Sequence, residues 1–470
     1  YHKTKTNMKF AFAASSGTLK KEVVEVEFKE NDLVFFTIKD GRKIMELGIG
    51  KREDITRRKL IILARKIIET AKNYRIKKIA VDFNEFLFPK LQNIDWKDLA
   101  SLLVQNFVLA NYEFNRYKTE PKEGWKHVEE VTIISAPDAV IKKGVQKGIF
   151  IGEEINACRE LANIPGGEMT PPILAQKAKE AAKGTKVSVK ILGKKEMTAM
   201  KMGAVLGVAQ GSVHEPQFII LEYKGGGKDA PVVLVGKGVT FDSGGLSLKP
   251  SDSMLEMHMD MSGGAAVIHA VTLAAKLELK KNIVGLVPAV ENMPSGSSYR
   301  PGDILKSLSG KTIEVLNTDA EGRVILADAL TYAEKFKPRL VVDVATLTGA
   351  SLIALGEHAS AIMTPDQNLE TLFRRLGEES GDYVWPLPLW EEYEENIKGN
   401  MGDISNIPAN GNTRYGGVIN GGMFLYQFAK NYPWVHIDMA PRMTPAKGDR
   451  LARGATGAPT QLLIKLLEEY

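Results

Sequence analysis

The stretch Asn317-Thr318-Asp319-Ala320-Glu321-Gly322-Arg323 sets two carboxylates two residues apart, with an arginine two further on. On extended backbone, residues i and i+2 project to the same side, so Asp319 and Glu321 are expected to face one centre. Two anions held that close repel each other, and a pair of divalent cations is the simplest compensation. Upstream, the run Lys237–Pro250 adds Lys237 and Asp242, and Met259-Asp260-Met261 adds Asp260. Four carboxylates and one amine suit two divalent ions. In two-metal hydrolytic sites the ions lie roughly 3.5–4 Å apart and lower the pKa of bound water to about 7 in the best cases. A lysine ligand must be neutral, so a metal at Lys237 has to depress its pKa strongly. Gly236, Gly238 and the Gly244-Gly245 pair would allow close backbone approach beside these groups.

Each residue also has a plainer reading. Asp242-Ser243-Gly244-Gly245 is good turn chemistry, and Asp319 would serve as cap to a helix starting near Arg323. Lys249 and Arg323 are not needed as ligands. A cation there would stabilise the oxyanion of a tetrahedral intermediate, and an arginine fork suits a small oxyanion such as bicarbonate. An ion pair with one of the ligand carboxylates accounts for either residue equally well. The Gly236-Lys237-Gly238 run lacks the spacing of a phosphate-binding loop.

These segments need elements to position them. Residues 8–50 hold short strand-like runs at Lys9–Ala14, Glu22–Phe28 and Leu33–Ile38, punctuated by Asn31-Asp32 and Asp40-Gly41 turns; helical periodicity follows over Ile55–Tyr74 and Trp96–Phe114, with strands at Lys77–Asp82 and Val131–Ser135. Asp138–Ala162 reads as one long helix, stopped by Asn163-Ile164-Pro165-Gly166-Gly167; Thr170-Pro171-Pro172 opens the next, with Thr170 as cap. Beyond it, apolar strand runs at Val187–Ile191, Gln217–Tyr223, Val232–Val235, Ile283–Val290, Thr312–Leu316, Leu340–Ala345 and Trp434–Asp438 alternate with helices at Ala265–Leu279, Val324–Phe336, Leu369–Leu376 and Gln461–Glu469. The expected fold is therefore α/β in two domains: residues 1–145 a small α/β unit (1–7 an added leader before a start at Met8), 146–164 a linking helix, and 165–470 a larger unit on a mixed central sheet. Most of the candidate residues fall just after strands, where open α/β sheets gather their ligands.

Composition sets limits. The 62 basic and 57 acidic residues leave a net charge of +5, too balanced for the concentrated basic stripe of a nucleic-acid binder. No apolar run approaches the roughly 20 residues of a membrane helix. The single cysteine, Cys158, cannot pair within the chain, which fits a reducing cytoplasm, and no histidine pair has ligand spacing.

At this point the motifs resemble a known family. NTDAEGR (Asn317–Arg323), VGKGVTFDSGGLSLKP (Val235–Pro250), MDMSGGAAV (Met259–Val267) and ATLTGA (Ala345–Ala350) are similar to the signatures of the leucyl aminopeptidases of the M17 type, and the likeness runs from about Arg159 to the C-terminus. The resemblance implies a cytoplasmic metallo-exopeptidase that releases N-terminal residues, leucine and other large apolar ones preferred, from peptide substrates. It implies a tighter metal site of Lys237, Asp242, Asp260 and Glu321, and a more exchangeable one of Asp242, Asp319 and Glu321 with the Asp319 carbonyl. Manganese or zinc, with cobalt or magnesium as alternatives, would occupy them. Lys249 would polarise the scissile carbonyl, Arg323 would hold bicarbonate as general base, and Asp260 would meet the substrate amine. Met257, Asn317, Ala320, Thr346, Leu347 and Ala455 would line the pocket for the first side chain, with the Asp403–Gly417 loop a further place where specificity differs. Self-association as a homohexamer is also implied. The rival readings are a DNA-binding protein on the same fold, disfavoured by charge, and a di-metal phosphoesterase, disfavoured by the lysine ligand.

Overall fold

The structure is a computed structural model describing residues 8–135, 139–409 and 415–470; residues 1–7, the first residue of the long helix expected from Asp138, and 410–414 of the expected specificity loop lie outside the described residues. The chain forms two compact units, one of the residues up to Asn156 with Lys447–Arg453, the other of Ala157–Ala446 with Gly454–Tyr470.

The first unit is built on a six-stranded sheet in the order Lys9–Ala13, Glu130–Ile134, Lys78–Asp82, Val24–Lys29, Arg42–Gly48, Val34–Lys39. All pairs are parallel except the outer hairpin Val34–Lys39 with Arg42–Gly48. Its two-residue turn, Asp40-Gly41, has φ of 49° and 75°, the left-handed pair that a tight hairpin demands. Helices Arg57–Asn73 and Trp96–Asn111 are capped by Thr56 and Asp95, whose side chains accept the Lys59 and Asp98 N–H groups. The strand Arg42–Gly48 is absent from the sequence expectation, because Arg42, Lys43 and Glu46 break its apolar pattern.

The second unit has a nine-stranded mixed sheet. Its order is Val384–Pro386, Ser360–Met363, Trp434–Asp438, Leu340–Ala345, Val232–Gly236, Asn282–Asn292, Gln217–Lys224, Val187–Leu192, with Gly238–Asp242 paired to the far end of Asn282–Asn292. The central strands Val232–Gly236 and Leu340–Ala345 are buried along their whole length, which is why they read as unbroken apolar runs. Each fully buried Val or Leu there contributes about 1.5–3 kcal/mol, fixing register where the site is built. The helices Ser262–Lys276 and Glu321–Ala333 pack on these central strands. Asp328 anchors the second of them, accepting the Val205 N–H at 3.0 Å and the Leu308 N–H at 2.7 Å. A small sheet of Ile304–Lys306, Thr312–Glu314 and Ile404–Ser405 stands beside the Asn317 turn. Thr170 precedes its helix but makes no side-chain cap; Pro at the first positions does the shaping instead.

Candidate active site

Parallel strands of the large sheet end together. Lys237 follows Val232–Gly236, Asp242 closes Gly238–Asp242, and Thr346-Leu347 follow Leu340–Ala345. Asp260 comes directly after the short helix Met257–Met259, and Glu321 is the first residue of the helix Glu321–Ala333. Asp319 and Glu321 are thus not neighbours on a strand. Asp319 lies in a turn whose N–H is accepted by the Asn317 side chain at 2.8 Å, and Ala320 is the residue that precedes the helix. The two carboxylates still converge, through a turn and a helix start rather than through a pleat. Asp319 does not cap this helix, which leaves its side chain for the centre.

Asp242, Asp319 and Glu321 each present a carboxylate oxygen within 4.8 Å of the others. Lys237 Nζ lies 2.8 Å from Asp260 Oδ2 and 2.8 Å from Glu321 Oε1, with the Thr346 carbonyl accepting from it at 3.1 Å. Lys249 Nζ lies 2.8 Å from Asp242 Oδ2 and 2.6 Å from Asp319 Oδ1. The ion pair left open for Lys249 is therefore the arrangement here, whereas Arg323 Nη1 donates to the Asn406 carbonyl at 2.8 Å. Asp260 Oδ2, Asp319 Oδ1 and Glu321 Oε1 are buried and, although close to the ammonium groups, lie off the angles of a hydrogen bond. Buried carboxylate oxygens without directed donors are unusual, and converging ones are the donors that a divalent cation takes. Hard oxygen donors with one nitrogen fit divalent ions of the manganese or zinc kind.

Space for this packing comes from glycine. A Cβ at Gly322 would lie 2.6 Å from Lys237 Cε, so the helix start can pass the lysine stem only without a side chain. Gly244 has φ of 85°, and a Cβ there would come within 2.9 Å of Asp319 Oδ1.

The electrostatics are those of crowded, buried anions. Burial, with Asp242 and Asp260 adding repulsion, raises Glu321 to about 8 against the pull of the lysines. Burial likewise raises Asp260 to about 6, and it raises Asp319. For Lys237 burial acts downward, but Asp260, Glu321 and Asp242 overrule it and hold the ammonium well above its ordinary value. Burial also lowers Arg323 to about 10, while burial lifts Asp328 to about 7.

A pH dependence follows. Carboxyls with raised folded-state pKa keep protons that the unfolded chain releases above about pH 4, so the metal-free protein loses stability as pH rises from about 4 towards 8. Scanning calorimetry of chelated protein is expected to give a Tm higher at pH 5.5 than at pH 8 by about 5 °C or more. A Tm that rises over that interval contradicts these shifts.

The remaining predicted residues are distributed as follows. Thr346 Oγ1 donates to Asp260 Oδ1 at 2.6 Å, and the Leu347 N–H donates to Asp438 Oδ1 at 3.1 Å. Asn317 and Ala320 form the Asp319 turn, where their carbonyls accept from Asn406 Nδ2. Met257 opens the short helix before Asp260. Ala455 is buried, its N–H donated to Asn163 Oδ1 at 2.7 Å and its carbonyl accepting from Arg159 Nε at 3.0 Å. Sequence reasoning missed Asn292, Tyr299, Asn406 and Asp438, all buried polar groups that hold the site's backbone. Each sits singly among apolar or loop residues, and only its position at a strand end or next to a motif marked it.

The profile described as "Cytosol aminopeptidase family, catalytic domain" matches residues 156–464, which hold every group of this cluster. The chain belongs to the cytosol aminopeptidase family. The family's N-terminal domain profile matches residues 3–121. A protein of Roseiflexus castenholzii named "Probable cytosol aminopeptidase" is 41% identical over 92% of this chain and 88% of its own length. One so named from Paraburkholderia phymatum is 39% identical over 97% of this chain and 90% of its own. Among solved structures, "Bottromycin maturation enzyme BotP in complex with Mn" superposes with a TM-score of 0.86 at 29% identity, covering 96% of this chain and 99% of that one. Membership and the carboxylate cluster together make this chain a metal-dependent exopeptidase with a two-metal catalytic site. Among the described residues, no helix is long and apolar enough to cross a membrane.

Proposed function

We propose that this enzyme releases leucine and other large apolar residues from the N-termini of peptides in the cytoplasm, as a homohexamer using manganese. The observation that carries the reading is the largely buried set of four carboxylates and two lysines gathered where the central strands end. Manganese is favoured by the related structure that contains it.

One ion would be held by Lys237, Asp242, Asp260 and Glu321, the other by Asp242, Asp319 and Glu321 with the Asp319 carbonyl. Together they would supply Lewis acidity and a water with a pKa of about 7. Lys237 must give up its proton to serve, and the crowded anions that hold that proton are the groups the ions would neutralise. Asp260 meets the substrate's free amine, which limits attack to the first peptide bond. Lys249, tethered within reach of Asp242 and Asp319, is placed to meet the charge that develops on the scissile carbonyl. Arg323 would hold bicarbonate; its Nε is buried with no hydrogen-bond partner, a free donor of the kind an oxyanion takes. The Leu347 carbonyl would accept the N–H of the following residue. Met257, Asn317, Ala320, Thr346, Leu347 and Ala455 would form the pocket, and the small Ala455 wall leaves room for phenylalanine as well as leucine.

The test is the free amine. Leucyl peptides are expected to be hydrolysed, and their N-acetylated forms to react at least about 10³-fold more slowly, because an acylated nitrogen neither pairs with Asp260 nor ligates. Comparable rates on both would overturn the exopeptidase assignment at this site.

A further inference from the structure

Resting on the two-metal reading, we propose that Asn292 is the positioning residue that selects which oxygen of Asp242 faces the metals and ties that carboxylate to the Asp319 turn. Asn292 ends the strand Asn282–Asn292 and is fully buried. Its Nδ2 donates to Asp242 Oδ1 at 2.8 Å and to the Thr318 carbonyl at 2.9 Å. Both partners only accept, so the amide orientation is fixed by chemistry: turned over, it would set one oxygen against two others. Asp242 Oδ1 also takes the Gly244 N–H at 2.9 Å. With two donors on Oδ1, Asp242 is left with Oδ2, the atom that faces Lys249, as its free donor toward a cation.

The second arm works on the other segment. The Thr318 carbonyl is held by Asn292 and by the Tyr299 hydroxyl at 2.8 Å, while the next N–H, that of Asp319, is held by the Asn317 side chain. One amide thus spans the two chain segments that supply Asp242 and Asp319. The Asn292 backbone is fixed too, its carbonyl accepting from Ser243 N at 3.0 Å and Ser243 Oγ at 2.7 Å. Its Oδ1 stays buried without a partner, 2.8 Å from where a Cβ at Gly245 would stand. A buried asparagine that leaves half its amide unpartnered is retained for what the other half does.

Asp242 serves both proposed metal positions and Asp319 only one, so loss of the tie should weaken both and the Asp319 position more. Manganese binding by calorimetry is compared for the wild type, Asn292→Ala and Asn292→Leu. The leucine keeps the volume, removes the donor without adding charge and carries the test should the alanine variant not fold. Residues that orient metal ligands commonly govern affinity by about 10–100-fold, so one of the two manganese ions is expected to bind at least ~10-fold more weakly and the other to lose less. Raising manganese should then recover kcat with KM for leucine p-nitroanilide unchanged. Unchanged affinity at both positions, or an equal loss at both, overturns the proposal. A wild type that takes up fewer than two ions defeats the two-metal reading itself, a result distinct from either.

Discussion

Glu321→Gln is expected to lower kcat/KM on leucine p-nitroanilide by at least about 10³-fold, with the protein still folded. Glu321 is fully buried, and in both proposed metal positions it is a ligand. The substitution keeps shape but removes the charge and one acceptor. In the metal-free protein the loss is mild, because burial and the neighbouring aspartates already push this carboxyl up to about 8 and favour its neutral form. The cost appears only when ions bind. Ligand at a hundred times its Kd stabilises a protein by about 2.7 kcal/mol, so manganese should raise the Tm of the wild type and do so far less for the variant. Near-normal activity, or a Tm increase equal to that of the wild type, would remove Glu321 from the metal site. A metal-free variant that fails to fold would instead mean that Glu321 holds the structure through Lys237.

How far the sequence speaks for itself differs between the scaffold and the site. The central strands are legible because they are buried on both faces, so Val232–Gly236 and Leu340–Ala345 appear as continuous apolar runs. Their ends coincide with Lys237 and Thr346, which is how the topology gathers the centre. The strand Ser360–Met363, second from the edge of the sheet, is too short to stand out, and the helix Gly417–Tyr426 hides behind its glycines. Gly422 there has a packing reason, since a Cβ would come within 2.5 Å of Met363 Sδ. The local geometry of Asp319 and Glu321 is the instructive difference. Spacing alone suggests a pleat, but the Asn317 side chain takes the Asp319 N–H and turns the chain into a helix. Asp438 is legible only as the end of its strand, and Asn292 only as lying just past one. A lone buried amide or acid at a strand end has no periodicity to betray it; its role exists only in the contacts that folding makes.

The central claim is that chemistry at this cluster depends on divalent metal. The most direct measurement follows leucine p-nitroanilide hydrolysis through exhaustive chelation and then stepwise return of manganese, with bound metal counted at each step. Bound ions would activate the water here at neutral pH. Activity is therefore expected to fall by at least about 10³-fold on chelation and to return as the second ion per chain is taken up. Hydrolysis that survives removal of all bound metal, or two ions taken up with no recovery by a folded protein, would contradict the account.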